Sequence, residues 1–347
     1  MLWLTWRQFR AQAIVAAGAL AVVAISLIIT AFKVRDRFNS AGIPACHVHH
    51  DCLRVASFYI FQLRNDTAYD LSFNLGVLFL YAVPALIGLF WGAPLIAREF
   101  ETGTFRLVWN QSVGRGKWLA IKLGVVGLAT MATVGLFSWL ITWWADPIDK
   151  ALALAGQTAP VGEYRIDPLV FGARGIAPIG YAALALALGV TFGVLIRRTL
   201  PAMAATLVAF VVVQVAWVNL VRPHLISPKT ASTLLKPTHI TQFLISGPSR
   251  AVTVVGNWRP PGGWVLSNQT VTPAGHPFTG PATSACLSGS PQRCNAWLAS
   301  KHLRQLITYQ PSSRFWTFQW YETGIFLLAA VALTIFCVQR IRHRRLA

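Results

Sequence analysis

The sequence predicts an all-α polytopic membrane protein with six transmembrane helices and a loop-rich external segment between helices 5 and 6. The first observation is composition: 55% of the 347 residues are hydrophobic and 12% are charged, whereas soluble domains average about 25% charged residues. The second is a mean hydropathy of +0.53. A soluble fold of this length cannot bury so much apolar surface, and disorder requires low hydrophobicity. The composition therefore excludes a soluble domain and a disordered chain.

The third observation is that the apolar residues form long runs. A helix needs about 20 apolar residues to cross the hydrocarbon core of a bilayer. The runs of this length are Ala11–Phe32, Leu71–Ile96, Trp118–Trp144, Ile176–Ile196, Leu200–Val221 and Phe318–Val338. We expect helices 1–5 within residues 11–221 and helix 6 at 318–338. Pro84 and Pro94 predict a kink or a break in the second run.

The residues before the first run have two interpretations. Leu2, Trp6 and Phe9 recur at helical spacing, and Arg7 and Arg10 lie elsewhere around the helix. This pattern predicts a cytosolic interfacial helix over residues 1–10. An extension of the first span is the alternative. The first run is longer than the apolar part of a signal peptide, so we expect it to remain as a span.

The net charge of +19 does not predict a nucleic-acid partner, because the cations cluster between apolar runs without aromatic interleaving. Clusters of this kind instead indicate how the spans are oriented across the membrane. Segments 1–10, 97–117, 197–199 and 339–347 carry 12 Lys and Arg in 43 residues, against 17 in the 165 residues of 33–70, 145–175 and 222–317. The segments with the higher density of Lys and Arg are expected on the cytosolic side of the membrane. One local signal disagrees with this orientation, because Lys33, Arg35 and Arg37 after the first span outnumber Arg7 and Arg10 before it. We therefore expect a multi-pass protein of the cytoplasmic (plasma) membrane, with both termini and the basic tail 339–347 cytosolic.

This orientation places four cysteines on the oxidising side of the membrane. Cys46 and Cys52 share one external loop, and Cys286 and Cys294 share another. We expect a disulfide within each pair, although spacing alone does not establish pairing. Cys337, in the last run, is expected to be a packing residue.

The external segment 222–317 is rich in Pro, Gly, Ser and Thr. Short β-like stretches occur at Ala251–Val255 and Gly263–Ser267, which predicts a small, loop-rich external domain.

The densest titratable cluster is formed by His47, His49, His50 and Asp51. These residue types ligate Zn²⁺ or Cu²⁺, but no helical spacing supports a site, and a solvated loop is the favoured interpretation. Phosphate-binding loops and the G-x-S-x-G and H-E-x-x-H motifs are absent. We therefore expect neither catalysis, a cofactor nor a metal in this chain. The rival hypotheses are an extracytoplasmic enzyme that uses this cluster and a binding or assembly protein that uses 222–317.

The most informative stretch is the inner loop 97–117. From Thr104 it has the pattern of a short amphipathic helix, with Phe105, Val108, Trp109 and Val113 on one face. Arg106, Asn110 and Lys117 lie on another face. Thr102 or Thr104 can cap its start, and Gly114 can end it.

This loop resembles the signature of type-2 permease subunits of ATP-binding-cassette exporters, E-R-E-x-G-T followed by an apolar helix, an S-P-x-S-R-like turn and a Lys. The matching residues are Glu99, Glu101, Gly103, Thr104, Arg115 and Lys122, whereas Phe100 replaces the Arg and Gln111-Ser112 replaces Ser-Pro. The opening segment Trp3–Arg10 is similar to the start of actinobacterial members.

The resemblance implies a transport subunit that pairs with a second permease chain as a homo- or heterodimer in membrane lipids. A separate ATPase subunit would use ATP and Mg²⁺. The cargo class implied is lipid-like, peptide or hydrophobic drug, and the direction is export. The residues expected to couple to the ATPase are Glu99, Glu101, Gly103, Thr104, Phe105, Arg106, Trp109 and Arg115. The two glutamates are expected to set the helix start and local charge rather than to perform chemistry.

Overall fold

A computed structural model describes residues 2–46, 52–103, 115–156, 164–236, 240–246, 251–281, 283, 286 and 291–343. Within these ranges, six helices are long and apolar enough to cross a membrane. We number them as spans 1 to 6: Ala17–Ser40, Thr67–Thr102, Trp118–Ala155, Ala177–Ile196, Thr199–His224 and Ser312–Arg342. The predicted all-α polytopic class with six spans is confirmed.

All the spans except span 4 extend further than the apolar runs that predict them. The bounds of the α-helices are Leu2–Ser40, Cys52–Arg64, Thr67–Ile87, Ala93–Thr102, Arg115–Ala155, Pro168–Phe171, Ala177–Ile196, Thr199–Ala216, Pro291–Ser300 and Phe315–His343. Residues 2–10 belong to the same continuous helix as span 1. The helix of span 3 continues past Trp144 because Ile148, Ala151 and Leu152 keep a buried face at helical spacing.

Span 2 is interrupted between its two prolines. One turn of π-helix, Gly88–Gly92, lies between the α-helices Thr67–Ile87 and Ala93–Thr102. A second π turn, Trp217–Val221, ends span 5, followed by a 3₁₀ turn at Arg222–His224. Shorter 3₁₀ turns lie at Ile43–Ala45 and Ser312–Arg314. Such turns locally replace the α-helical hydrogen-bond pattern and redirect the chain.

Span 4 is the most buried of the six spans, with 67% of its most apolar window inside the protein. It packs against span 2 through two G-x-x-x-G pairs, Gly88 and Gly92 in span 2 and Gly189 and Gly193 in span 4. A Cβ atom on Gly193 would lie 2.8 Å from the carbonyl oxygen of Ala93. The two backbones therefore approach so closely that any side chain larger than that of glycine would clash at these positions.

The described residues of 229–310, between spans 5 and 6, form two three-stranded antiparallel sheets and belong to what we call the β domain. The strands are β1 Lys229–Leu234, β2 Ile240–Ser246, β3 Ala251–Gly256, β4 Trp264–Val271, β5 Gly280–Pro281 and β6 Arg304–Gln310. The orders are β1-β6-β4 and β2-β3-β5. The two β-like stretches found in the sequence coincide with β3 and β4. A small core of Leu235, Val252, Val254, Leu298 and Leu303 lies between the elements of this β domain.

Both cysteine pairs form disulfides in the structure. Cys46 and Cys52 have Cα atoms 5.5 Å apart and join the residue after the 3₁₀ turn Ile43–Ala45 to the helix Cys52–Arg64. Cys286 and Cys294 have Cα atoms 4.4 Å apart, and Cys294 lies within the helix Pro291–Ser300. Cys337 is buried, with its sulfur 3.3 Å from the hydroxyl of Thr191 in span 4.

Candidate functional site

The end of span 2 is attached to span 3 by an ion pair between Glu99 and Lys122. The two side chains are only 12% and 9% exposed, and the Lys122 ammonium lies 4.7 Å from the centroid of the Trp118 ring. Trp118 belongs to an apolar cluster built from spans 2, 3, 4 and 6 that includes Leu95, Ile96, Leu119, Val194 and Ile341. A charge pair enclosed in this way is costly to separate, so it holds the two spans in one register.

Glu101, the residue before the last residue of span 2, is attached to span 5 instead. One of its carboxylate oxygens accepts hydrogen bonds from the backbone N–H (3.1 Å) and from the hydroxyl (2.5 Å) of Thr199. Thr199 is the first residue of its helix, where backbone N–H groups lack partners within the helix. The carboxylate supplies that partner and interacts favourably with the helix dipole. Glu99 and Glu101 therefore join the end of span 2 to two different spans.

Gly103 ends the helix Ala93–Thr102 in a left-handed conformation, with φ 70°. A residue with a Cβ atom is strained in this conformation, which explains the glycine of the signature. Of the expected coupling residues, Thr104, Phe105, Arg106 and Trp109 lie outside the described residues. Arg115 begins the helix of span 3, but its side chain is not among those described. Gly116 follows it and lies close to Arg342 of span 6.

A buried polar network at the opposite end of the bundle was missed by the sequence reasoning. The Arg222 guanidinium donates to both carboxylate oxygens of Glu322, at 2.9 and 2.7 Å. It also donates to the backbone carbonyl of Pro168 (3.0 Å) and to the hydroxyl of Tyr181 (3.1 Å). The Tyr181 hydroxyl in turn donates to Glu322. The network joins spans 4, 5 and 6 at the end that carries the β domain.

The Arg222 and Glu322 side chains are 1% and 0% exposed. Their isolation from solvent makes the hydrogen-bonded partners necessary, because a lone charge at this depth is strongly unfavourable. The available signal was Glu322 itself, an acidic residue within an apolar run that calls for a cationic partner. Arg222, just beyond the fifth run, was instead counted as an external loop residue.

Two neutral polar residues lie within the apolar runs, Asn74 in the second and Gln214 in the fifth. Such residues favour hydrogen bonds between helices. In the structure, Asn74 donates to the carbonyl of Asp70 in its own helix. Both amide atoms of Gln214 are buried without a hydrogen-bond partner among the described residues. The described residues thus supply no inter-helix bond for either side chain, because helical spacing does not specify what lies opposite.

The titratable cluster of His47, His49, His50 and Asp51 lies outside the described residues. Elsewhere, no group of three or more His, Cys, Asp or Glu side chains is arranged around a common point within the part of the chain that the structure describes.

These features define a multi-pass membrane protein whose second span carries an acidic signature at one end. Residues 17–222 match the family model for ABC-2 membrane transporter related proteins. The match covers more than half of the chain, and the chain belongs to this family: it is an ABC-2 type permease. No curated protein and no solved structure matches it. The predicted family is thereby confirmed, and membership indicates a transport subunit rather than an enzyme.

Proposed function

We propose that this permease exports an apolar cargo, driven by a separate ATP-binding-cassette ATPase that docks on the segment around residues 99–115. The observation that carries the proposal is the divergent attachment of Glu99 to Lys122 and of Glu101 to Thr199. If the chain just beyond Gly103 is displaced, the Glu99–Lys122 contact would move span 3 and the Glu101–Thr199 contact would move span 5.

The mechanism needs no chemistry in this chain. ATP and Mg²⁺ would be bound and used by the partner, and its closure would press on the helix predicted from Thr104. Phe105 and Trp109 on the apolar face are proposed to pack against the bundle or the ATPase, with Arg106 at the rim. Arg115 leads directly into span 3, so the segment is continuous with both spans that it would move. The resulting tilt of the spans would alternate access to a central path.

The cargo class follows from the chemistry of the spans. Two buried pairs of ionisable side chains lie within the spans, Glu99 with Lys122 and Glu322 with Arg222. A lipid-like, peptide or hydrophobic drug cargo matches such a lining better than an ion. Two permease chains in membrane lipids would complete the transporter, in the plasma membrane with both termini cytosolic.

The test is co-purification of a candidate ATPase with the permease, combined with a transport assay. We expect Trp109→Ala to weaken ATPase association more than Arg106→Ala, because buried aromatic residues carry more interface energy than rim charges. Glu99→Gln should reduce transport and leave the partner's basal ATP hydrolysis intact. Unchanged complex formation and transport after removal of the whole apolar face would contradict the coupling role.

A further inference from the structure

The helix Cys52–Arg64, which we call the linker helix, has two apolar sides. Ala56, Tyr59, Ile60 and Leu63 are buried against the core formed with spans 1 to 3. On the remaining surface Leu53, Phe58 and Phe61 are 47%, 59% and 63% exposed. A helix that met only water on its outer side would not carry two largely exposed phenylalanines on one turn. The two rings share the exposed side with Arg54 and Gln62, so this side meets a partly apolar, interfacial environment.

The position of the linker helix identifies that environment as lipid. In the chain, the helix lies between the end of span 1 at Ser40 and the start of span 2 at Thr67, so we place it where both spans would leave the hydrocarbon layer. Phe32 in span 1 and Leu71 in span 2 are 65% and 56% exposed. The exposed phenylalanines of the linker helix continue this apolar surface into the headgroup region.

A cleft of about 600 Å³ opens at the C-terminal end of the linker helix. It is lined by Arg37, Phe61, Gln62, Asn65, Asp66 and Thr67. The Arg37 guanidinium lies 2.7 Å from the Asp66 carboxylate, and the two side chains are 42% and 25% exposed. One cation and one anion are thus reachable from the same cleft, beside an exposed aromatic ring.

The carboxylate of Asp66 is held ionised. Burial alone would raise its pKa, but hydrogen bonds from the Ala68 backbone N–H and from Arg37 outweigh that effect and lower the pKa below its ordinary value. The Ala68 bond, at 3.0 Å, caps the first helix of span 2. The charge is therefore fixed in position at the mouth of the cleft.

We propose that the cleft binds the headgroup of a phospholipid whose amine is a primary ammonium, of the phosphatidylethanolamine class. The phosphate would meet Arg37, the ammonium would donate hydrogen bonds to Asp66, and Phe61 would lie along the upper acyl chains. A phosphatidylglycerol headgroup has no cation for Asp66. A phosphatidylcholine headgroup has a cation without N–H donors. This site is independent of the proposed coupling role and of the identity of the cargo.

Native mass spectrometry of the detergent-solubilised full chain, titrated with dioleoyl phosphatidylethanolamine, phosphatidylcholine or phosphatidylglycerol, tests the proposal. We expect tightest binding of phosphatidylethanolamine. Loss of one charge-assisted contact in Arg37→Gln or Asp66→Asn should weaken that binding about tenfold. Asp66→Asn should also reduce the difference in affinity between phosphatidylethanolamine and phosphatidylglycerol. The matched control is Lys150→Gln, which removes a solvent-exposed ion pair with Asp146 and should change nothing.

Crosslinking of the unaltered protein with a photoactivatable phosphatidylethanolamine is a second test, and it does not depend on whether the variants fold. Its crosslinks are expected in the peptide that contains residues 58–67. Equal affinity for the three lipids, an unchanged preference in both variants, or crosslinks confined to other segments would each overturn the proposal. So would disulfide-linked dimers of Phe58→Cys, because a second copy would then cover the outer side of the linker helix.

Discussion

Glu101 caps the helix of span 5 from outside it, through hydrogen bonds from the N–H and the hydroxyl of Thr199. The two residues are 98 positions apart in the chain. This contact lies at the protein surface, so the Glu101 carboxylate caps the helix that begins at Thr199 without being buried.

We predict that Glu101→Gln and Thr199→Val each reduce transport several-fold. In the double variant the loss should not exceed that of the more impaired single variant, since both substitutions weaken the same contact: the first removes the charge of the acceptor and the second removes the hydroxyl donor. A transport assay with the ATPase supplied in excess measures this. Asp146→Asn, which alters a carboxylate in the exposed Lys150 pair, is the control. Fully additive losses would show that the two residues act separately.

Gly189→Ala is expected to destabilise the bundle. A Cβ atom there would lie 2.7 Å from the backbone nitrogen of Ala93 in span 2, and backbone cannot yield as a flexible side chain does. Overpacking of this kind costs about 1–3 kcal/mol, which thermal unfolding in detergent would detect as a lower midpoint. Gly124→Ala in span 3 is the control, because no atom lies within 4 Å of its Cβ position. Equal midpoints for the two variants would contradict the close crossing.

Glu322→Gln is expected to be strongly destabilising. It leaves the Arg222 guanidinium buried without its counter-charge, and breaking one side of a buried pair typically costs about 3–5 kcal/mol. The double variant Arg222→Gln, Glu322→Gln should recover part of the loss, because no net charge is then buried. Unfolding midpoints of the three variants measure this, with Lys150→Gln as the exposed control. A double variant less stable than either single variant would argue against the pairing.

The Cys286–Cys294 disulfide should stabilise the β domain. It closes a separation of 8 residues, for which the chain-entropy estimate is about 2–3 kcal/mol. Intact mass before and after reduction, with alkylation, is expected to show this bridge and the Cys46–Cys52 bridge. Cys294→Ser should then lower the temperature at which the domain becomes protease-sensitive. Alkylation of all four thiols in unreduced native membranes would refute both bridges.

The predicted orientation places position 110 inside and position 268 outside. Substitution of Asn110 or Asn268 by Cys, in a background without other cysteines, allows each side to be probed with a membrane-impermeant thiol reagent. Position 268 should react in intact cells and position 110 only after the membrane is opened. The reverse pattern would invert the topology.

The sequence by itself determined the class of this protein and its spans. Length and apolarity suffice for this, because a helix in lipid must satisfy its backbone internally over about 20 residues. The E-x-E-x-G-T stretch Glu99–Thr104 was likewise recognisable, since its residues are contiguous. The expected family followed from that stretch, whereas the partners of its two glutamates did not.

Only the tertiary structure decided which charges meet. Arg222 and Glu322 are 100 residues apart, on either side of the β domain, and each looked like the end of a separate span. Helical periodicity places a side chain on a face but does not say which helix lies opposite, so Gln214 was assigned a partner that it lacks among the described residues. The spans are a local property of the chain, whereas their contacts depend on how six separate helices pack. That packing is set by close approaches, such as Gly88 against Gly189, that no single segment encodes.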